Sequence, residues 1–128
     1  MREIKFRGYD RFDQRWVYGY GLHQVVFEDG SSNAYVTAGI REVFIVDKES
    51  AGQYTSIKDY EGKEIYEGDI VETTRALNHI VGVVTMIKGC WYIQDGKDSY
   101  YRLIPRFGTA ENKVIGNIYE NKNLLEED

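Results

Sequence analysis

The chain has 128 residues, a single cysteine, and sixteen basic against twenty-one acidic side chains for a formal net charge of −5. That length buries roughly 65% of the unfolded surface in one domain or two small subdomains, so it needs no disulfide or metal staple. The acidic balance argues against a broad phosphate-binding surface while leaving room for a local basic patch, and a lone Cys90 with no partner for an internal bridge points to a reducing compartment, the cytoplasm.

Met1-Arg2-Glu3 is charged and no apolar segment follows, so no secretory signal is expected. The longest apolar run, Ile80 to Ile87, is broken by Gly82 and Thr85 and falls far short of the roughly 20 residues of a membrane span. A soluble chain with no membrane partner is expected. Eleven tyrosines and thirteen glycines against one proline suit pleated strands and tight turns, which predicts an all-β fold.

In chain order, Ile4 and Phe6 alternate with Lys5 and Arg7. Trp16, Tyr18, Tyr20 and Leu22 then fall on alternate positions, the period of a half-buried strand with its large side chains on one face. The apolar phase slips to Val25 and Phe27, which predicts a bulge or strand end near Gln24. Glu28 to Asn33 is a polar turn cluster, and Tyr35-Val36-Thr37 and Glu42 to Val46 read as further strands. Residues 1–50 form an N-terminal β-rich subdomain.

Residues 51–128 are expected to hold a second subdomain. Its strands run over Asp69 to Thr74, Ile80 to Ile87, Trp91 to Ile93, Tyr100 to Ile104 and Val114 to Tyr119, the number used by a small SH3-like barrel. Lys88-Gly89 and Asp95-Gly96 are the hairpin turns, with Asp-Gly favouring type I′. Asn121 to Asp128 can add a short helical turn around Leu124 and Leu125.

The densest chemistry lies in residues 58–71, KDYEGKEIYEGDIV, where Asp59, Glu61, Glu64, Glu67 and Asp69 crowd together. A calcium loop of the EF-hand type needs glycine sixth and glutamate twelfth; with Gly62 sixth the twelfth residue is Gly68, and with Gly68 sixth the first is Lys63. Both registers fail. Lys58 and Lys63 are interleaved among the acids, which argues against a buried acid–base pair. The residues fit a double turn better: Asp59 caps, Gly62 closes, Gly68-Asp69 re-aims the chain into the strand that starts at Ile70, and Ile65 and Tyr66 are the apolar pins between.

Gly19-Tyr20-Gly21 lacks the third glycine of a dinucleotide loop, and Gly62-Lys63 is followed by Glu64 rather than a P-loop hydroxyl. Gly30 to Ala34 misses the last glycine of a nucleophile elbow. His23, His79 and Cys90 are scattered singly, without the local pairing of zinc ligands. Tyr54, Tyr60, Tyr66, Trp91, Tyr92, Tyr100 and Tyr101 have the chemistry to stack on bases, but strand alternation turns about half of such residues into the core. No catalytic, metal-binding or cofactor-binding residue is assigned, and no cofactor is expected.

Three blocks carry a family likeness: Arg2-Glu3-Ile4-Lys5-Phe6-Arg7 with Tyr9-Asp10; Gln53-Tyr54-Thr55 through Lys58-Asp59 and Gly62 to Val71; and Val114 to Asn121 with Leu124-Leu125. In this order they resemble the YopX family of bacteriophage and prophage proteins. The chain departs from that pattern at Gly8-Tyr9, at Ser56-Ile57, where glycine and leucine are common, and at Lys122, where proline is frequent. The resemblance implies a phage-encoded β-rich protein acting inside a bacterial host, and carries over no catalytic residue.

The expected function is a non-enzymatic binding or assembly module, with a nucleic-acid-associated accessory protein as the alternative. The expected partners are a phage or host protein and a second copy of the chain. The dimer is expected if Trp16 to Phe27 is extended throughout, since it then reaches about 40 Å and overhangs its own barrel with an unprotected edge; the alternative is that a bulge near Gln24 folds the strand back on its own barrel.

Overall fold

The computed structural model describes residues 3–75, 78–105 and 111–125. The chain is all-β: the described residues form twelve strands and two short 3-10 helices, Lys48–Ser50 and Lys122–Leu125. Among the described residues no helix is long and apolar enough to cross a membrane. The chain divides into two compact units, residues 1–54 and 55–128.

In the first unit β1 (Phe6–Asp10) and β2 (Arg15–Gly19) form a hairpin, with Phe6 opposite Gly19 and Asp10 opposite Arg15. The Asp10 carboxylate holds the turn by accepting the Phe12 and Asp13 amides at 3.0 and 3.3 Å. A second sheet has the order β3-β4-β5, from β3 (Gly21–Val26), β4 (Ser32–Gly39) and β5 (Glu42–Val46). Strand β6 (Gly52–Lys58) starts in this unit, where Gln53 pairs with Phe6. Val17, Ala34, Val36 and Val46 make the core, with Leu22 and Phe44 packed against them.

One expectation for this region fails. The phase slip comes at Tyr20, not near Gln24: β2 ends at Gly19, the Tyr20 amide bonds the Thr37 carbonyl at 2.8 Å, and β3 then pairs with β4 without interruption. Of the large side chains, Leu22 packs on the core, whereas Tyr18 and Tyr20 turn outward. Tyr18 and Tyr20 are 49% and 68% exposed while Val17 is 5% exposed.

The glycines explain the outward turn of the tyrosines. A Cβ on Gly8 would lie 2.6 Å from the Val46 side chain, and one on Gly19 would collide with the Thr37 carbonyl. The hairpin therefore packs through its side-chain-poor face, where backbone approaches backbone, and turns its aromatics outward. Trp16 is half-buried there, edge-on to Tyr9 at 5.5 Å and capped by the Arg7 guanidinium at 4.7 Å. That contact joins charge to the aromatic face.

The second unit contains the end of β6, β7 (Glu64–Tyr66) and a five-stranded antiparallel sheet of order β11-β10-β9-β8-β12. These strands are β8 (Asp69–Arg75), β9 (Asn78–Ile87), β10 (Cys90–Asp95), β11 (Ser99–Arg102) and β12 (Glu111–Asn117). All five predicted strands are present, and their antiparallel order is compatible with a small SH3-like barrel. Ile65, Val71, Ile80, Val84, Ile93 and Leu103 form the core, each worth about 1.5–3 kcal/mol when fully buried.

Lys88 and Gly89 both have positive φ, 50° and 83°, and close the β9–β10 hairpin in the I′ manner. Asp95 does not behave as predicted. It pairs with Ser99 as the last residue of β10, leaving a three-residue loop in which Gly96 alone has positive φ, 77°. Tyr100 Oη donates to the Lys97 carbonyl at 3.1 Å and Gln94 Nε2 to the Gly96 carbonyl at 3.0 Å, which holds the wider loop. The predicted C-terminal turn is the 3-10 helix Lys122–Leu125; residues 126–128 of that expectation lie outside the described residues.

Candidate functional site

Residues 58–71 form a double turn built on two buried carboxylates. Asp59 Oδ1 accepts the Glu61 and Lys63 amides, each at 2.9 Å, and Oδ2 accepts the Val114 amide of β12 at 3.1 Å. The Asp59 amide donates to the Lys63 carbonyl at 2.7 Å, and Gly62 takes φ +85° to close the loop. Asp69 Oδ2 accepts the Tyr66 amide at 2.7 Å, and Gly68, at φ +92°, turns the chain into β8.

The other acids of the stretch are not gathered around a centre. Glu64 Oε1 accepts the Tyr66 hydroxyl at 2.8 Å, Glu67 is half-buried and Glu61 is exposed. The Asp59 carboxylate is committed to three backbone amides and that of Asp69 to the Tyr66 amide, so both serve to build the double turn.

Nor do the two soft ligands of the second unit meet. His79 and Cys90 are near opposite ends of the β9–β10 hairpin, and the eight steps along the strand from His79 to Ile87, the neighbour of Cys90, span about 26 Å at 3.3 Å per residue. His23 is in the first unit. His79 Nε2 instead faces Glu72 at 3.1 Å on an open surface. Among the described residues no cluster of His, Cys, Asp and Glu has the makings of a metal site. Of the aromatics, Tyr54 and Tyr66 are buried, Trp91, Tyr92 and Tyr101 are half-buried, and Tyr60 and Tyr100 are exposed. A concave feature of about 350 Å³ in the second unit is lined mainly by aliphatic side chains, among them Val81, Val83, Ile118 and Leu124.

The feature with the most distinctive chemistry is the outward face of the β3-β4-β5 sheet. Register places Leu22, Val36 and Phe44 on one side, where Val36 is buried in the core. The opposite side carries His23 and Val25 from β3, Asn33, Tyr35 and Thr37 from β4, and Val43 and Ile45 from β5. Val25, Val43 and Ile45 are 40%, 50% and 44% exposed. His23 stacks on Tyr35 with ring centroids 5.3 Å apart, and Asn33 Nδ2 reaches the Tyr35 hydroxyl at 3.3 Å.

With His23 neutral, none of these side chains is charged, in a chain where charged residues make up 29%. A contiguous uncharged, apolar and aromatic face is the usual mark of a contact surface. The sequence held one signal for it: Val43, Phe44, Ile45 and Val46 are apolar on both faces of a strand that has only one face on its own core.

Comparison with known proteins adds the lineage. Among solved structures, the crystal structure of protein EF1440 from Enterococcus faecalis is similar, at 25% identity over 96% of this chain and 98% of that one, with a TM-score of 0.49. No curated protein matches. The family model described as YopX protein matches residues 5–126, nearly the whole length. The chain therefore belongs to the YopX protein family.

Proposed function

We propose that the protein is a non-enzymatic binding or assembly module, encoded by a phage or prophage and working in the cytoplasm of its bacterial host. The outward face of β3-β4-β5 is its contact surface. The observation that supports this reading is the uncharged patch around the half-buried Tyr35, in which Val25, Val43 and Ile45 are exposed on a chain of net charge −5. Desolvating such a face costs little and gains apolar burial, which is how the centres of protein interfaces are built.

Affinity capture from infected host cells tests the reading, with the wild-type protein, Ile45→Lys and an exposed control, Phe12→Lys, run side by side. One protein partner retained by the wild type and the control but lost with Ile45→Lys is the expected result. Identical capture by all three would refute the face as the contact surface. Retention of single- or double-stranded nucleic acid in a low-salt mobility shift would favour the accessory-protein alternative instead.

A further inference from the structure

The edge of β3 offers a second mode of contact, distinct from the sheet face. β3 pairs with β4 on one side and is the terminal strand of its sheet. The Phe27 amide bonds the Ser31 carbonyl at 2.8 Å, so in the β3–β4 register the hydrogen-bonded pairs are Val25 with Asn33, His23 with Tyr35 and Gly21 with Thr37. Leu22, Gln24 and Val26 therefore direct their backbone N–H and C=O groups away from β4, along the outer edge. The edge carries none of the usual defences: β3 reads GLHQVV, with no lysine, no acid and no proline.

We infer that two copies of the chain pair antiparallel through their β3 edges, about a twofold axis at Gln24, to make a continuous six-stranded sheet from two three-stranded ones. The edge is self-complementary in this register. Gln24 faces Gln24 of the second copy and Leu22 faces its Val26, so every pair that exchanges hydrogen bonds is drawn from residues whose groups point outward. On the other side of the sheet His23 faces Val25 of the second copy, which keeps the two histidines from lying directly opposite each other.

A second observation selects a copy of this chain over an unrelated strand. A cavity of about 310 Å³ opens beside the edge, lined by Leu22, His23, Gln24, Ala34, Lys48 and Ala51. The side chain that the twofold register brings opposite Leu22, on the side of the sheet facing Ala34, is Val26 of the second copy. That valine is 66% exposed in the single chain, and the cleft gives it apolar cover. A closed twofold pairing of identical edges also ends the exposure without leaving a further edge of the same kind free. The dimer expected from the sequence thus returns on a different ground, because the overhanging strand invoked there is broken at Tyr20.

The inference goes beyond the proposed function: edge pairing stands or falls apart from what the sheet face binds. Light scattering on a sizing column tests it on the full chain at tens of micromolar. The wild type is expected at twice the 14.9 kDa chain mass. Gln24→Pro, which removes an edge-facing N–H but no β3–β4 bond, is expected at the single-chain mass. Gln24→Lys and Gln24→Glu place like charges opposite each other and are each expected as monomers, and their mixture is expected to recover the doubled mass. Circular dichroism on each variant separates loss of pairing from loss of fold, and recovery in the mixture is a readout that misfolding does not give. A wild type at the single-chain mass, a dimer that survives all three substitutions, or charge variants that fail to recombine would each overturn the inference.

Discussion

Asp59→Ala is the substitution that most directly examines the reading of residues 58–71 as architecture. The carboxylate accepts three backbone amides, those of Glu61, Lys63 and Val114, and it is buried. A hydrogen bond to a charged group contributes about 1.5–3 kcal/mol net. Water replaces the lost acceptor for Glu61 and Lys63, which are exposed, more readily than for Val114, which is half-buried within β12. Counting the Val114 bond in full and the turn bonds at a fraction gives about 3 kcal/mol, a fall in Tm on the order of 10 °C or more for a unit of this size. Asp59→Asn should lose less, because its amide oxygen can keep the turn while its NH₂ faces the Val114 donor. Urea titration followed through Trp91, in a Trp16→Phe background so that the second unit alone is read, measures both. An Asp59→Ala protein as stable as its parent would refute the reasoning and release the carboxylate for another role.

Three further outcomes follow from the geometry. Gly62→Val and Gly68→Val should each destabilise by roughly 1 kcal/mol or more, since both positions have positive φ, 85° and 92°, whereas Lys58→Gln and Glu61→Gln should leave the denaturation midpoint within roughly 0.5 kcal/mol of wild type. Gly82→Ala should cost about 1–3 kcal/mol by the same assay, because the added methyl meets the Gln94 carbonyl across the β9–β10 ladder and two backbones must separate. The Ser31 hydroxyl, and then its amide, hold the Asp29 carboxyl below the usual aspartate range. A lowered folded value means that the turn is favoured above the unfolded pKa and loosens as pH falls through the folded one. The Ser31 amide resonance should accordingly titrate with a midpoint below that of an ordinary aspartate, and Ser31→Ala should move the Asp29 midpoint upward.

What could be read from the sequence depended on whether the signal was local. Asp59, Gly62, Gly68 and Asp69 specify their turns through their own backbone and nearest neighbours, so residue type alone predicted them. The strands of the second unit were equally legible, because alternation and turn residues mark each one. The packing of Trp16 to Leu22 was not. The period of two shows that Val17 and Tyr18 face opposite ways, but which side meets the core is decided by close backbone approach at Gly8 and Gly19, a contact with strands far along the chain. Asp95-Gly96 misled for a similar reason: the dipeptide favours a two-residue turn, yet the Asp95–Ser99 pairing and the bonds from Gln94 and Tyr100 hold a three-residue one. Ser56 takes φ +69° within β6, a left-handed conformation that its residue type did not signal. The candidate contact face was hidden because register, not composition, brings Val25, Tyr35, Val43 and Ile45 to one side.

The central claim is that the outward face of β3-β4-β5 is where this protein meets its partner. Hydroxyl-radical footprinting of the captured complex against the free protein reads that directly, side chain by side chain. Protection of His23, Tyr35, Val43 and Ile45, with Tyr60 and Tyr100 in the second unit as reactive as before, is the result the account predicts. Unchanged reactivity across the four sheet residues, together with protection at Tyr60 or Tyr100, would contradict it.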